Sequence, residues 1–220
     1  MDLRGQRVLL LGGSGLVGMA VARRVLPYRP ARLVVTALRR PEAEEAVASL
    51  EASAPPGTEL AASWGDILVA TEFKDRPRAE IFRSPADRRR FLDDLLGEMS
   101  PELLRRFYLY ELLVAERPDV VVDCVNTATA IAYQDLFAAA REVRDAVGRN
   151  APELAEVVDR HLGVLYLPQL IRHVQVLLEA LRAAGTRSYV KVGTSGTGGM
   201  GLNVPFTHSE QRPSQILLAK

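Results

Sequence analysis

Five short apolar runs punctuate the chain, at residues 8–11, 32–38, 59–64, 119–125 and 189–192. They are rich in valine and leucine and almost uninterrupted by polar positions, the pattern of parallel strands covered on both faces. Between them the apolar spacing changes to that of helices. Residues 19–26, 42–52, 134–147 and 170–184 read as helices, the second stopped by Pro55-Pro56-Gly57 and the last by Gly185. In the last, Leu170, Val174, Leu177, Leu178 and Leu181 fall on one face, which predicts the buried side. Strand and helix alternate, so the expected fold is α/β: a doubly wound parallel sheet, Rossmann-like, with right-handed crossovers and helices on both faces.

Residues 68–117 do not fit one crossover helix. They are rich in charge, including Lys74-Asp75-Arg76 and Asp87-Arg88-Arg89-Arg90, and carry helical patterns at 87–96 and 101–115, the latter entered through Ser100-Pro101. The expectation is a helical insertion on a single domain spanning 1–220, with the basic run on a solvated helix face.

Behind the first run stands Gly12-Gly13-Ser14-Gly15-Leu16-Val17-Gly18. Glycines at 12, 15 and 18 between strand and helix permit a sharp turn, close approach of a pyrophosphate and tight helix packing, with the helix amino end facing the phosphates. The alternative is a glycine turn with no ligand. At the end of the second run comes Leu38-Arg39-Arg40, with no acid before Glu42. Guanidiniums there suit a 2′-phosphate, whereas a carboxylate would suit a bare ribose, so NADP is expected and NAD is the alternative. The missing acid also disfavours S-adenosylmethionine. Asp66 and Ile67, after the third run, are placed to meet adenine. Asn126, Thr127 and Ala128, after the fourth, would border the nicotinamide ribose.

With 48% hydrophobic and 25% charged residues in 220 and a net charge of +1, the chain has the balance of a globular protein. Nothing in that balance argues for nucleic acid. No run is long enough to span a bilayer and the opening residues do not read as a secretory leader, which predicts a cytoplasmic protein with a small-molecule substrate. The lone Cys124 excludes an internal disulfide and reads as a small core residue; His161 and His173 read as packing or surface positions, and no spacing suggests a metal site.

The order of these features resembles the short-chain dehydrogenase/reductase superfamily, in particular its extended, epimerase/dehydratase-like branch. The resemblance rests on Gly12-x-x-Gly15-x-x-Gly18, Gly65-Asp66, the Asn126 region, Gly193-Thr194-Ser195-Gly196 and Val204-Pro205-Phe206-Thr207-His208-Ser209-Glu210. It implies a serine, tyrosine and lysine acting together on a hydroxyl or carbonyl, and a homodimer through the helices at 134–147 and 170–184. Ser195 falls at the serine position and Lys220 at the lysine, but the tyrosine position, four residues earlier, is Ile216, which cannot transfer a proton. His208, Tyr133 and Tyr166 are the nearby substitutes. Members of that superfamily continue past the position of Lys220 into a substrate-binding region, so the chain reads as a fragment or a truncated cofactor domain. The competing expectation is a non-catalytic nucleotide-binding or redox-sensing module.

Overall fold

The computed structural model describes residues 2–125 and 136–193. Strands β1 (Arg7–Leu11), β2 (Arg32–Ala37), β3 (Glu59–Trp64), β4 (Val120–Asp123) and β5 (Ser188–Lys191) form one sheet in the order β3-β2-β1-β4-β5. Every pairing is parallel. Among the described residues the helices are α1 (Leu16–Val25), α2 (Arg40–Glu51), α3 (Arg78–Arg83), α4 (Pro85–Leu96), α5 (Pro101–Arg106), α6 (Tyr108–Glu116), α7 (Leu136–Gly148), α8 (Leu154–Val164) and α9 (Tyr166–Ala184).

Strand alternation explains why β1 has no polar position after Arg7. Val8 and Leu10 meet Ala22 and Val25 of α1 and Leu50 of α2 on one face. Leu9 and Leu11 meet Leu109 and Leu113 of α6 and Val176 of α9 on the other. Both faces are therefore apolar, and the doubly wound α/β arrangement is the one that buries them. The order reverses between β1 and β4, so a crevice opens at the carboxyl edge beside the glycine turn.

Between β3 and β4 the chain lays down α3 to α6. Helix α6, joined by Leu103 of α5, packs into the sheet core; α4 and α3 build a separate cluster around Phe73, Ile81 and Phe91. The single helix read over 101–115 is two. Phe107 turns extended (φ −76°, ψ 131°) and bridges to Ala70, and the N–H of Tyr108 donates to Val69 O at 3.2 Å. Pairing with a passing strand thus outcompetes the helical ladder at that residue. Ser100 does cap α5, accepting from the N–H of Leu103 at 3.2 Å.

Two further expectations are corrected. The apolar face read for α9 is buried only in part: Leu177 is buried and Leu181 packs against the core, whereas Leu170, Val174 and Leu178 are exposed, and the helix also buries Gln169, Arg172, His173 and Val176. Arg172 is drawn inward because the carboxyl end of α4 offers it unpaired carbonyls: Nε donates to Leu95 O at 3.1 Å and Nη2 donates to Gly97 O. Gln169 donates to Gly163 O at 2.8 Å. The basic run is not wholly a solvated face either. Arg88 is 3% exposed, donates to Phe82 O at 2.9 Å and pairs with Glu156 at 3.3 Å, fastening α4 to α8.

Candidate functional site

The glycine turn is held from below by β2. The N–H of Gly12 donates to Thr36 Oγ1 at 3.0 Å and that of Ser14 to Thr36 O at 3.3 Å, while Thr36 is buried. Gly12 has φ +66°, which favours glycine, and a side chain there would press on Val125. At Gly13 a Cβ would lie 2.7 Å from Val35 Cγ1, and at Gly18 it would lie 2.6 Å from Gly13 Cα. These three are glycines because the fold leaves no room. Gly15 differs: a Cβ would meet nothing nearer than Gly12 O at 3.5 Å, an ordinary contact. Its missing side chain opens space above the start of α1.

That start is unneutralised. Gly15 supplies no side-chain cap and the first turn carries no acid, so the free N–H groups and positive dipole end face outward. Leu16 and Val17 begin the helix and are exposed.

A cleft of about 470 Å³ runs from Gly12 across the carboxyl ends of β2 and β3, within the size range of small-molecule sites. Asp66 and Ile67 line it, as does Arg39, but Arg40 does not. Arg40 instead pairs with Glu44 at 2.7 Å and lies 5.0 Å over the Trp64 ring. Arg39 remains 76% exposed along its side chain, its Nε 3.9 Å from Glu42 Oε1 while its backbone N–H donates to Glu42 Oε2 at 3.3 Å.

Sequence reasoning did not assign Lys74, Arg76 and Arg78 to a site, yet all three face this cleft. The available signal was three cations in five residues shortly after Gly65-Asp66. Lys74 Nζ donates to Trp64 O at 3.1 Å and lies 5.4 Å over the Trp64 ring and 5.1 Å over that of Tyr108. Arg78 Nε is 3.3 Å from Asp66 Oδ2, and its Nη1 donates to Gln169 of α9. Asp66 also accepts from the N–H of Leu68 at 2.9 Å. Tyr108, beneath Lys74, is pushed up by burial and shares a 2.7 Å hydrogen bond with Ser63, so it stays neutral. Against the four cations the cleft sets two carboxylates, Asp66 and Asp75. Its excess is positive.

Asn126, Thr127, Ala128, Tyr133, Ser195, His208 and Lys220 lie outside the described residues. Tyr166 opens α9 and is half-exposed. Cys124 is half-buried, its thiol pushed up by burial and then by Asp123. Among the described residues no group of His, Cys, Asp or Glu could hold a metal, and no helix is long and apolar enough to cross a membrane.

No family model and no curated protein matches the chain. Solved structures do. A-type ketoreductases from a modular polyketide synthase are 20% identical over 93% of this chain, with a TM-score of 0.37. The L-sorbose reductase of Gluconobacter frateurii, solved with NADPH and L-sorbose, is 12% identical over 87% of this chain and 97% of its own, with a TM-score of 0.31. A Serratia marcescens short-chain dehydrogenase/reductase is 14% identical over 87% of this chain and 98% of its own, at 0.30. The chain spans 40% of the length of the polyketide ketoreductases. The fold is shown by the strand order itself.

Proposed function

We propose that the chain binds NADP(H) across the carboxyl edge of its sheet and serves a reductase-like oxidoreductase, or epimerase/dehydratase-like, reaction on a hydroxyl or carbonyl substrate. One observation carries the reading. The crevice where the strand order reverses is floored by a glycine turn whose sole roomy glycine, Gly15, faces the uncapped start of α1. The residues present fit the group: Gly12 to Gly18 would take the pyrophosphate, and Arg39 with the insertion's cations the 2′-phosphate. Asp66 and Ile67 would border adenine. Bound nicotinamide would supply hydride chemistry; the chain's own part is to orient it and exclude water.

Titration with NADPH and NADH tests this. One charge-assisted hydrogen bond to the 2′-phosphate corresponds to about 1.5–3 kcal/mol, so NADPH should bind roughly tenfold to a hundredfold more tightly. Equal weak binding, or none, would overturn it. The second reading, a nucleotide-binding or redox-sensing module without catalysis, is favoured by Ile216, which stands where the resemblance calls for a tyrosine. Turnover of NADPH with a panel of carbonyl compounds separates the two.

A further inference from the structure

At the carboxyl ends of β4 and β5 an ion pair between a buried carboxylate and a partly exposed lysine holds one wall of the cleft. Asp123 and Lys191 are direct cross-strand partners, on the same face of the sheet as Val121 and Tyr189. Asp123 is 1% exposed, and three donors satisfy it: Tyr189 Oη at 2.8 Å and Lys191 Nζ at 2.8 Å on Oδ2, and the N–H of Val125 at 2.9 Å on Oδ1. Lys191 Nζ also donates to Val125 O at 2.6 Å. Both backbone polar groups of Val125 are therefore held by this one pair.

Val125 is the part of the wall that meets the glycine turn. Its Cγ2 and N stand 3.0 and 3.1 Å from where a Cβ on Gly12 would be, and it lines the cleft. A carboxylate this deep is retained only with compensation, and the compensation here has a specific outcome: a two-residue turn clamped against Gly12. Tyr189 is pushed up by burial and by Asp123, so its hydroxyl serves as a donor and not as a substitute for the missing tyrosine. His173 of α9 faces Asp123, Lys191 and Asp66. Burial lowers its pKa, so it adds no second cation near Asp123.

We propose that the Asp123–Lys191 pair positions the nicotinamide half of the dinucleotide, by locking Val125 against Gly12 where the crevice passes from β1 to β4. The inference rests on the NADP(H) reading above. The adenine half depends on Arg39 and the insertion's cations, which contact Glu42, Asp75, Asp87, Asp66 and Gln169. The pair's effect should therefore be confined to ligands that reach past the pyrophosphate.

The test compares NADPH with adenosine 2′,5′-bisphosphate, which carries the adenine half with its first 5′-phosphate and lacks the nicotinamide half, by calorimetric titration. Lys191→Met should weaken NADPH by about tenfold, the order of one charge-assisted hydrogen bond, with the bisphosphate unchanged. Because that variant leaves Asp123 without its counter-charge, the double variant Asp123→Asn/Lys191→Met is the second probe, and Lys191→Arg should recover most of the affinity. NADPH binding unaltered in both methionine variants would overturn the proposal. So would parallel loss of both ligands with a fall in Tm, the signature of a folding staple only. A parent chain that binds neither ligand would overturn the NADP(H) reading itself, and a parent that binds both while the variants discriminate supports the inference.

Discussion

Gly15 and Gly18 of the glycine motif should fail in opposite ways when each is made alanine. Gly15 has φ −71° and ψ 167°, open to any residue, and its added methyl would make only an ordinary contact with Gly12 O. Two small effects then oppose each other in the folding balance. Loss of unfolded-chain freedom stabilises by about 0.4–1 kcal/mol, and alanine is the poorer N-cap by a similar amount. Net stability should change by less than about 1 kcal/mol, or about 2–4 °C in Tm for a chain of this size. The methyl would, however, fill the space over the first N–H groups of α1. Losing one hydrogen bond to a charged phosphate costs about 1.5–3 kcal/mol, so NADPH affinity should fall roughly tenfold to a hundredfold. Gly18→Ala puts its methyl against backbone, 2.6 Å from Gly13 Cα, where no rotamer change gives relief. Overpacking of that kind costs about 1–3 kcal/mol or more, and Tm should drop. Thermal unfolding and NADPH titration of both variants check this. A Gly15→Ala variant that binds NADPH like the parent refutes the assignment of the turn to phosphate.

Three further predictions follow from other parts of the molecule. Asp94 is 3% exposed, and although Arg106 Nη1 lies 2.9 Å from its Oδ1, neither carboxylate oxygen makes a directed hydrogen bond. Burial pushes its carboxyl up to about 6, against the pull of Arg106. A raised acid contributes stability below its unfolded pKa and loses it as pH rises through the folded one, so Asp94→Asn should raise Tm over the parent at pH 8 but not at pH 4, and a parallel pH dependence would refute this. Gly163→Ala should loosen the insertion, since the methyl would land on the ring of Phe82, which packs edge-on against Phe91 at 5.1 Å. Faster amide exchange in α3 and α4 is the expected result, and unchanged protection the contrary one. Finally, Leu167, Leu170, Ile171, Val174 and Leu178 form an exposed apolar stripe along α9, with Phe137 exposed on α7. We propose that a second copy of the chain covers it. Light scattering should show a dimer that Ile171→Glu/Val174→Glu dissociates; a monomeric parent chain would refute this.

What the sequence discloses depends on how local the deciding interaction is. The strands were legible because both faces of a parallel sheet demand apolar residues, and the glycine turn because its spacing is set within seven positions. The buried side of α9 was legible only in part, at Leu177 and Leu181, because that helix is apolar on two sides. The choice was made by polar groups reaching distant carbonyls, Arg172 to Leu95 and Gly97 and Gln169 to Gly163. Helix α8 went unread except as a setting for His161. Arg39 and Arg40 are indistinguishable in sequence, and only the neighbouring Glu44 and Trp64 divert the second from the cleft. Asp123 and Lys191 are 68 positions apart and register as two strand residues until the sheet pairs them.

Three of the four cations facing the cleft, Lys74, Arg76 and Arg78, occupy a stretch of five residues in the β3–β4 crossover and lie outside every strand. On the proposed reading, nucleotide preference in this scaffold would be modular. Exchanging that short segment would retune which phosphate pattern is accepted while leaving the hydrophobic layers untouched, so selectivity could be engineered by grafting a loop, with no redesign of the core.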